Sequence, residues 1–155
     1  MLLPNFKLTY EKFEDYILSK EAFLNNKTFY IDKDGKDDII VSDTYEEYYA
    51  KVQVKLAEQC DTLKIEGIEL WAGWEHGTIH AFRYWENSPS FPEHTDPVDV
   101  IVEVHEGEKF IEVKEIMHHL IEGEAVSIPA NTPHRALNKK EGLMLSYGMY
   151  GTEQP

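Results

Sequence analysis

Phe91-Pro92-Glu93-His94-Thr95-Asp96 and Gly123-Glu124-Ala125-Val126-Ser127-Ile128-Pro129-Ala130-Asn131-Thr132-Pro133-His134-Arg135-Ala136-Leu137-Asn138 are the two ends of the stretch, Ser90 to Asn138, whose reading decides the fold. Each sets a histidine at the head of a run that alternates like a strand. The first adds an acid two residues on, where strand geometry returns a side chain to the same face. Between them the sequence reads as two short strands and a turn at Glu106-Gly107-Glu108. The expectation is that His94, Asp96 and His134 meet on one metal ion inside a small β-barrel. Taken alone, His134 also suits a hydrogen-bonded core position, and the residues leave both readings open.

Parity sorts the neighbours. Val98, Val100, Val102 and Val104 share the phase of His94 and Asp96 and mark the interior, which sends Asp99, Glu103 and His105 outward unless a bulge intervenes. Beyond the turn, Lys109 falls in phase with Ile111 and Val113. A lysine aimed at apolar surroundings either snorkels out at the turn mouth or needs an anionic partner. After the reversal at residues 129–133, His134, Ala136 and Asn138 share one face, with Arg135 and Leu137 on the other.

Outward from this stretch, residues 10–24 carry Phe13, Tyr16, Ile17 and Leu24 at helical spacing, and Asn25-Asn26 ends the pattern. Thr28 to Ile31 and Asp38 to Val41 read as a hairpin about Asp32-Lys33-Asp34-Gly35. The acids there do not make an EF-hand, because Asp37 stands where that loop needs glycine. Thr44-x-x-Glu47 is a capping box opening a helix over Tyr45 to Gln59, with a stripe of Tyr45, Tyr48, Tyr49, Val52 and Leu56. That stripe reads as a packed face with hydroxyls at its edge, or as a binding platform. From Leu63 the period becomes two, through Ile65 to Leu70 and Thr78 to Trp85, and short strands with Gly, Pro and Asn turns fill the rest. The predicted architecture is mainly β, with two N-terminal helices and the hairpin (residues 1–62) covering a barrel (residues 63–155) in one compact domain.

The chain has 155 residues and a formal net charge of -14, which disfavours phosphate backbones and anionic membrane surfaces. Neither nucleic acid nor membrane is therefore an expected partner. Cys60 is the single cysteine and cannot close an internal disulfide. The opening residues lack the features of a signal peptide, so the expected location is cytoplasmic.

The second half-motif resembles the second cupin motif, G-x5-P-x-G-x2-H-x3-N, at Gly123, Pro129, His134 and Asn138, with Asn131 in place of the middle glycine. The first resembles the cupin pattern H-x-H-x3,4-E-x6-G at His94 and Gly107. Asp96 stands at its second histidine, and Val100 or Ile101 at its glutamate. Together they imply a cupin double-stranded β-helix. The remaining donors, H-x-D and a distal His, are similar to the two-His-one-carboxylate triad of iron(II) oxygenases, including the 2-oxoglutarate-dependent family.

That resemblance also requires a cation for the distal carboxylate of 2-oxoglutarate. Many members use Arg-x-Ser, but Met144-Leu145-Ser146 lacks the arginine, whereas the Jumonji-like branch uses a lysine placed about as Lys109 is. Arg83 and Tyr84 are further candidates. The implied function is an iron(II)- and 2-oxoglutarate-dependent hydroxylase holding metal on His94, Asp96 and His134, with manganese, zinc, nickel or cobalt as other fits. The alternatives are a divalent-metal cupin isomerase, epimerase or lyase acting on a carbonyl or sugar, with His80, Tyr84 or Tyr147 moving a proton, and a non-catalytic metal- or sugar-binding cupin. Trp71, Trp74 and Trp85 read as a wall for a small organic substrate or as core. His118-His119 reads as an exposed pair on the rim. Cupins often pair through sheets, so a homodimer through Val41 or the tyrosine helix is among the expected states.

Overall fold

The computed structural model describes residues 10–25, 28–31, 36–59, 61–66 and 76–152. Cys60, Trp71, Trp74, the Asp32–Gly35 turn and the strand continuation through Leu70 lie outside the described residues. Among the described residues, three helices, α1 (Phe13–Ile17), α2 (Lys20–Asn25) and α3 (Tyr45–Glu58), accompany nine strands: β1 (Thr28–Ile31), β2 (Asp37–Ile39), β3 (Thr62–Glu66), β4 (Gly77–Tyr84), β5 (Val100–Val113), β6 (Ile116–Ile121), β7 (Ala125–Ile128), β8 (His134–Leu137) and β9 (Gly142–Met149).

All the ladders are antiparallel. One sheet runs β2-β1-β3-β4-β9 into the first half of β5, whose other edge pairs β7; the second half of β5 pairs β6 and β8. One strand thus serves both walls of a barrel. Its two halves join where the β5–β9 register shifts, between Val104 and Glu106. Gly107 follows with φ +76, and a Cβ there would lie 2.2 Å from the Glu141 carbonyl oxygen.

This bulge replaces the expected turn at Glu106-Gly107-Glu108. The chain instead continues as strand and reverses at Lys114 and Glu115, both with positive φ, as a two-residue hairpin turn of the primed kind requires. The extra residue changes which side chains face in. Val100, Val102 and Val104 are buried before it and Lys109 and Ile111 after it.

Two apolar clusters result. Val100, Val102, Val104, Ile111, Ile128, Met144 and Tyr84 form the barrel interior. Leu63, Ile65, Ile79, Ala81, Leu143, Leu145 and Tyr147, from the other face of the first sheet, pack against Phe13, Tyr16, Ile17, Tyr48 and Val52. The helices are therefore a cover, as the alternation predicts. The hairpin is different, because β1 pairs β3 and extends the barrel's sheet.

The single helix expected over residues 10–24 is broken at Leu18–Ser19. Ser19 Oγ donates to the Tyr16 carbonyl (2.6 Å) and accepts from the Ala22 amide (3.2 Å), which caps α2. The stranded carbonyls of Ile17 and Leu18 receive the hydroxyls of Tyr48 and Tyr45 from α3. The tyrosine stripe is thus a packed face whose hydroxyls finish another helix. Thr44 caps α3 by accepting from the Glu47 amide at 3.2 Å.

Candidate metal centre

The two histidines are brought together by backbone before any side chain is considered. His94 precedes β5 and His134 opens β8, and each donates its amide to the other's carbonyl at 3.0 Å. Directly opposed residues of an antiparallel pair point to the same side, so the rings lie 4.4 Å apart. Asp96 follows two residues after His94, and its carbonyl accepts the amide of Asn131 at 2.8 Å. Asn131 has φ +61, the left-handed conformation that the glycine of the resembled motif would supply.

Asp96 lies between the rings, with Oδ2 3.1 Å from His134 Nε2 and Oδ1 3.8 Å from His94 Nε2. One donor atom from each of the three residues lies within 4.8 Å of the others. The opposite ring nitrogens are occupied: His94 Nδ1 is 2.9 Å from the Pro92 carbonyl and His134 Nδ1 is 2.8 Å from the Thr132 carbonyl. A carbonyl only accepts, so Nδ1 carries the proton in each neutral ring and the Nε2 lone pair faces Asp96. Two neutral imidazoles and one carboxylate suit a divalent first-row metal with coordination positions left open.

The electrostatics agree with such a cluster. When His134 is protonated, its Nε2–H donates to Asp96 and holds that carboxyl below its usual range against the opposing effect of burial, and the charges of His94, His134 and His80 in their protonated forms act in the same direction. Burial pulls His134 down, but its bond to Asp96, the Thr132 carbonyl and the Asp96 charge outweigh this and raise it. Asp99, the other nearby acid, is committed elsewhere: its Oδ1 accepts the Ala130 amide at 2.7 Å.

Behind the triad the barrel holds a cavity of about 430 Å³, walled by Phe82, Phe91, Val100, Ile111, Ile128 and Met144. Lys109 reaches this cavity and is 2% exposed. Its ammonium does not snorkel out. It donates to Asn138 Oδ1 and sits 3.7 Å from the centre of the Tyr84 ring. Among the described residues no carboxylate pairs with it, and burial pushes it down to about 7.

The other expected residues divide by sheet face. Ser146 and His80 line the cavity. Tyr84 is buried behind Lys109 with its hydroxyl spent on the Glu108 carbonyl at 2.6 Å, and burial raises its pKa further, so it is poorly placed to move a substrate proton. Arg83 and Tyr147 stand as corrections, because both belong to the opposite, helix-covered face. Arg83 is held by Glu14 of α1 and by the carbonyls of Tyr84 and Gly142. Tyr147 is buried among the helices, with its hydroxyl 3.4 Å from Glu103. Alternation fixes this outcome, since Arg83 is one residue out of phase with Tyr84 and Tyr147 one out of phase with Ser146. His119 stacks on Phe110 at 4.2 Å and bonds Glu108, which places it on the outer face of β6. Thr62 and Lys64 of β3 also line the cavity, and nothing in their spacing singled them out.

No family model matches the sequence, and neither does any curated relative. Solved structures do. The ribosomal oxygenase YcfD from Escherichia coli, in complex with cobalt and 2-oxoglutarate, is similar over 93% of this chain and 44% of its own, with a TM-score of 0.65 at 15% identity. The chain has the cupin fold. A conserved protein of unknown function from Streptococcus pyogenes matches 59% of this chain and 75% of its own length, with a TM-score of 0.50 at 20% identity. A cupin superfamily protein from Desulfitobacterium hafniense covers 57% of this chain and 76% of its own, with a TM-score of 0.49 at 19% identity. The chain thus spans less than half of the Escherichia coli oxygenase, and its likeness there includes the helical cover as well as the barrel. Among the described residues, no helix is long and apolar enough to cross a membrane.

Proposed function

We propose that this cupin is an iron(II)- and 2-oxoglutarate-dependent oxygenase, a hydroxylase of a small organic substrate. The observation that carries the reading is the pairing, within one cavity, of a three-donor cluster and a buried ammonium with no acid beside it among the described residues. His94, Asp96 and His134 would hold the metal, and Lys109 the distal carboxylate of the co-substrate. The likeness to an oxygenase solved with cobalt and 2-oxoglutarate supports the same assignment. Oxygen activation is what the metal contributes when bound: 2-oxoglutarate is oxidised to succinate and carbon dioxide, and one oxygen atom enters a substrate C–H bond.

The chain's own part is to bind, orient and exclude water. The Pro92 and Thr132 carbonyls fix the imidazoles by their Nδ1 protons. Phe82, Phe91 and Met144 keep the space between triad and lysine apolar, which strengthens a carboxylate–ammonium pair formed inside it. Lys109 takes up a proton when the anion arrives, since an ion pair favours the charged amine that burial alone disfavours. Of the residues expected to move a proton in the alternatives, Tyr84 and Tyr147 offer no hydroxyl to the cavity, and His80 alone of the three lines it.

The test is an anaerobic titration with iron(II) and 2-oxoglutarate, followed by visible absorption. A charge-transfer band is expected in the native protein and absent in His134→Ala. Tight metal binding with no band on adding 2-oxoglutarate would refute the proposal and leave a binding or isomerising cupin.

A further inference from the structure

Asn138 follows β8 and is buried, with 5% exposure. Its side-chain nitrogen lies 2.9 Å from Thr62 Oγ1, 2.9 Å from the Pro89 carbonyl, 3.0 Å from Ser88 Oγ and 3.3 Å from the Ser88 carbonyl. Thr62 Oγ1 itself donates to the Pro89 carbonyl at 2.9 Å. With this many acceptors on one side, the amide can be oriented only one way: NH2 toward Thr62 and the segment after β4, and Oδ1 toward Lys109. A single amide thus spends its donors on Thr62 of β3 and on the segment that leads to His94 and Asp96, and its acceptor on the lysine.

The lysine needs that acceptor. An ammonium has three donors and a flexible four-carbon stem, so a buried one can point in several directions. Here Asn138 takes one donor, the Tyr84 ring covers another side at 3.7 Å, and the cavity is what remains. Tyr84 is itself fixed by the Glu108 carbonyl and walled by Gly142, where a Cβ would come within 2.4 Å of the hydroxyl.

We propose that Asn138 is a positioning residue that aims Lys109 into the cavity, and that it thereby sets the preference of the site for a 2-oxo diacid over a 2-oxo monoacid of the same length. This rests on the functional reading above, with Lys109 as the carboxylate partner. Asn138 touches neither metal nor co-substrate in this scheme. It acts through the lysine alone, so its effect is confined to ligands that carry a distal carboxylate.

The experiment uses the manganese(II)-loaded protein and two probes, 2-oxoglutarate and 2-oxovalerate, which share a five-carbon chain and differ in the distal carboxylate. The native protein is expected to bind the diacid more tightly. In Asn138→Ser, which removes the acceptor from reach, 2-oxoglutarate affinity should fall about ten- to a hundredfold, the scale of one hydrogen bond to a charged group. Affinity for 2-oxovalerate and for manganese(II) should hold within about twofold. Asn138→Asp keeps the side-chain volume but puts a carboxylate against the ammonium, occupying it as an internal ion pair, and the same selective loss is expected. Equal loss of both oxo acids, loss of manganese(II) binding or of the fold in both variants, or unchanged discrimination would overturn the inference. If the native protein itself binds neither acid, or binds both alike, the functional reading fails instead, whatever the variants do.

Discussion

Replacing Lys109 by methionine should make the protein more stable at acid pH, by an amount that shrinks as the pH rises. Lys109 is buried against apolar walls with no acid beside it among the described residues, and its pKa is pushed from 10.5 down to about 7. A base with a lowered folded-state pKa binds fewer protons folded than unfolded between those values, so native stability climbs with pH across that window and the penalty is complete below it. At about 1.4 kcal/mol per pKa unit, the penalty is about 5 kcal/mol at pH 6 and about 2 kcal/mol at pH 9. Methionine removes it, but leaves Asn138 Oδ1 without its donor at a cost of about 1–3 kcal/mol and forfeits the contact with the Tyr84 ring. The variant should therefore exceed the native protein by about 1–3 kcal/mol at pH 6 and reach parity or fall below it at pH 9. Urea denaturation of both proteins at several pH values, without metal or oxo acid, measures the gap. A gap that stays flat between pH 6 and pH 9 would refute the reasoning, because it would mean that the ammonium reaches water or an anion in the folded state.

Affinity for 2-oxoglutarate should weaken about tenfold per pH unit above about pH 7, as the free lysine loses the proton that the complex needs, and calorimetry in buffers of different ionisation heat should detect proton uptake. His134→Ala should cost more than about a hundredfold in manganese(II) affinity while leaving the far-UV circular dichroism unchanged. Gly142→Ala drives a methyl against Tyr84 Oη and the Glu106 carbonyl, 2.4 and 2.5 Å away, and should destabilise by about 1–3 kcal/mol in urea. Thr44→Ala removes the cap of α3 and should cost about 1 kcal/mol, with no change in metal affinity.

The donor cluster was legible in the sequence because strand alternation and a specific spacing around His134 are both local signals. The inward phase of Lys109 was legible for the same reason, since Ile111 and Val113 share it. What stayed hidden depends on contacts between distant segments. Nothing in the residues 90–138 announces that His94 and His134 exchange backbone hydrogen bonds, or that Thr62 and Ser88 meet the side chain of Asn138. The break at Ser19 was missed because the apolar spacing runs on across it, while the tyrosine hydroxyls that compensate come from α3. Arg83 and Tyr147 were misplaced by weighing chemistry ahead of phase; each lies one position from a residue that does face the barrel.

The bulge at His105 has a reach well beyond its size. Because one unmatched residue separates the valine half of β5 from the lysine half, the bulge it forms decides which residues line the far end of the chamber. Straightening the strand there with every residue kept would exchange the two faces downstream, presenting Glu108, Phe110 and Glu112 to the hollow and turning Lys109 toward the solvent, whereas deleting His105 would leave plain alternation with Lys109 and Ile111 still inward. The triad would keep its place while Lys109 left the chamber, so it is the bulge that holds the metal donors and the ammonium on one hollow.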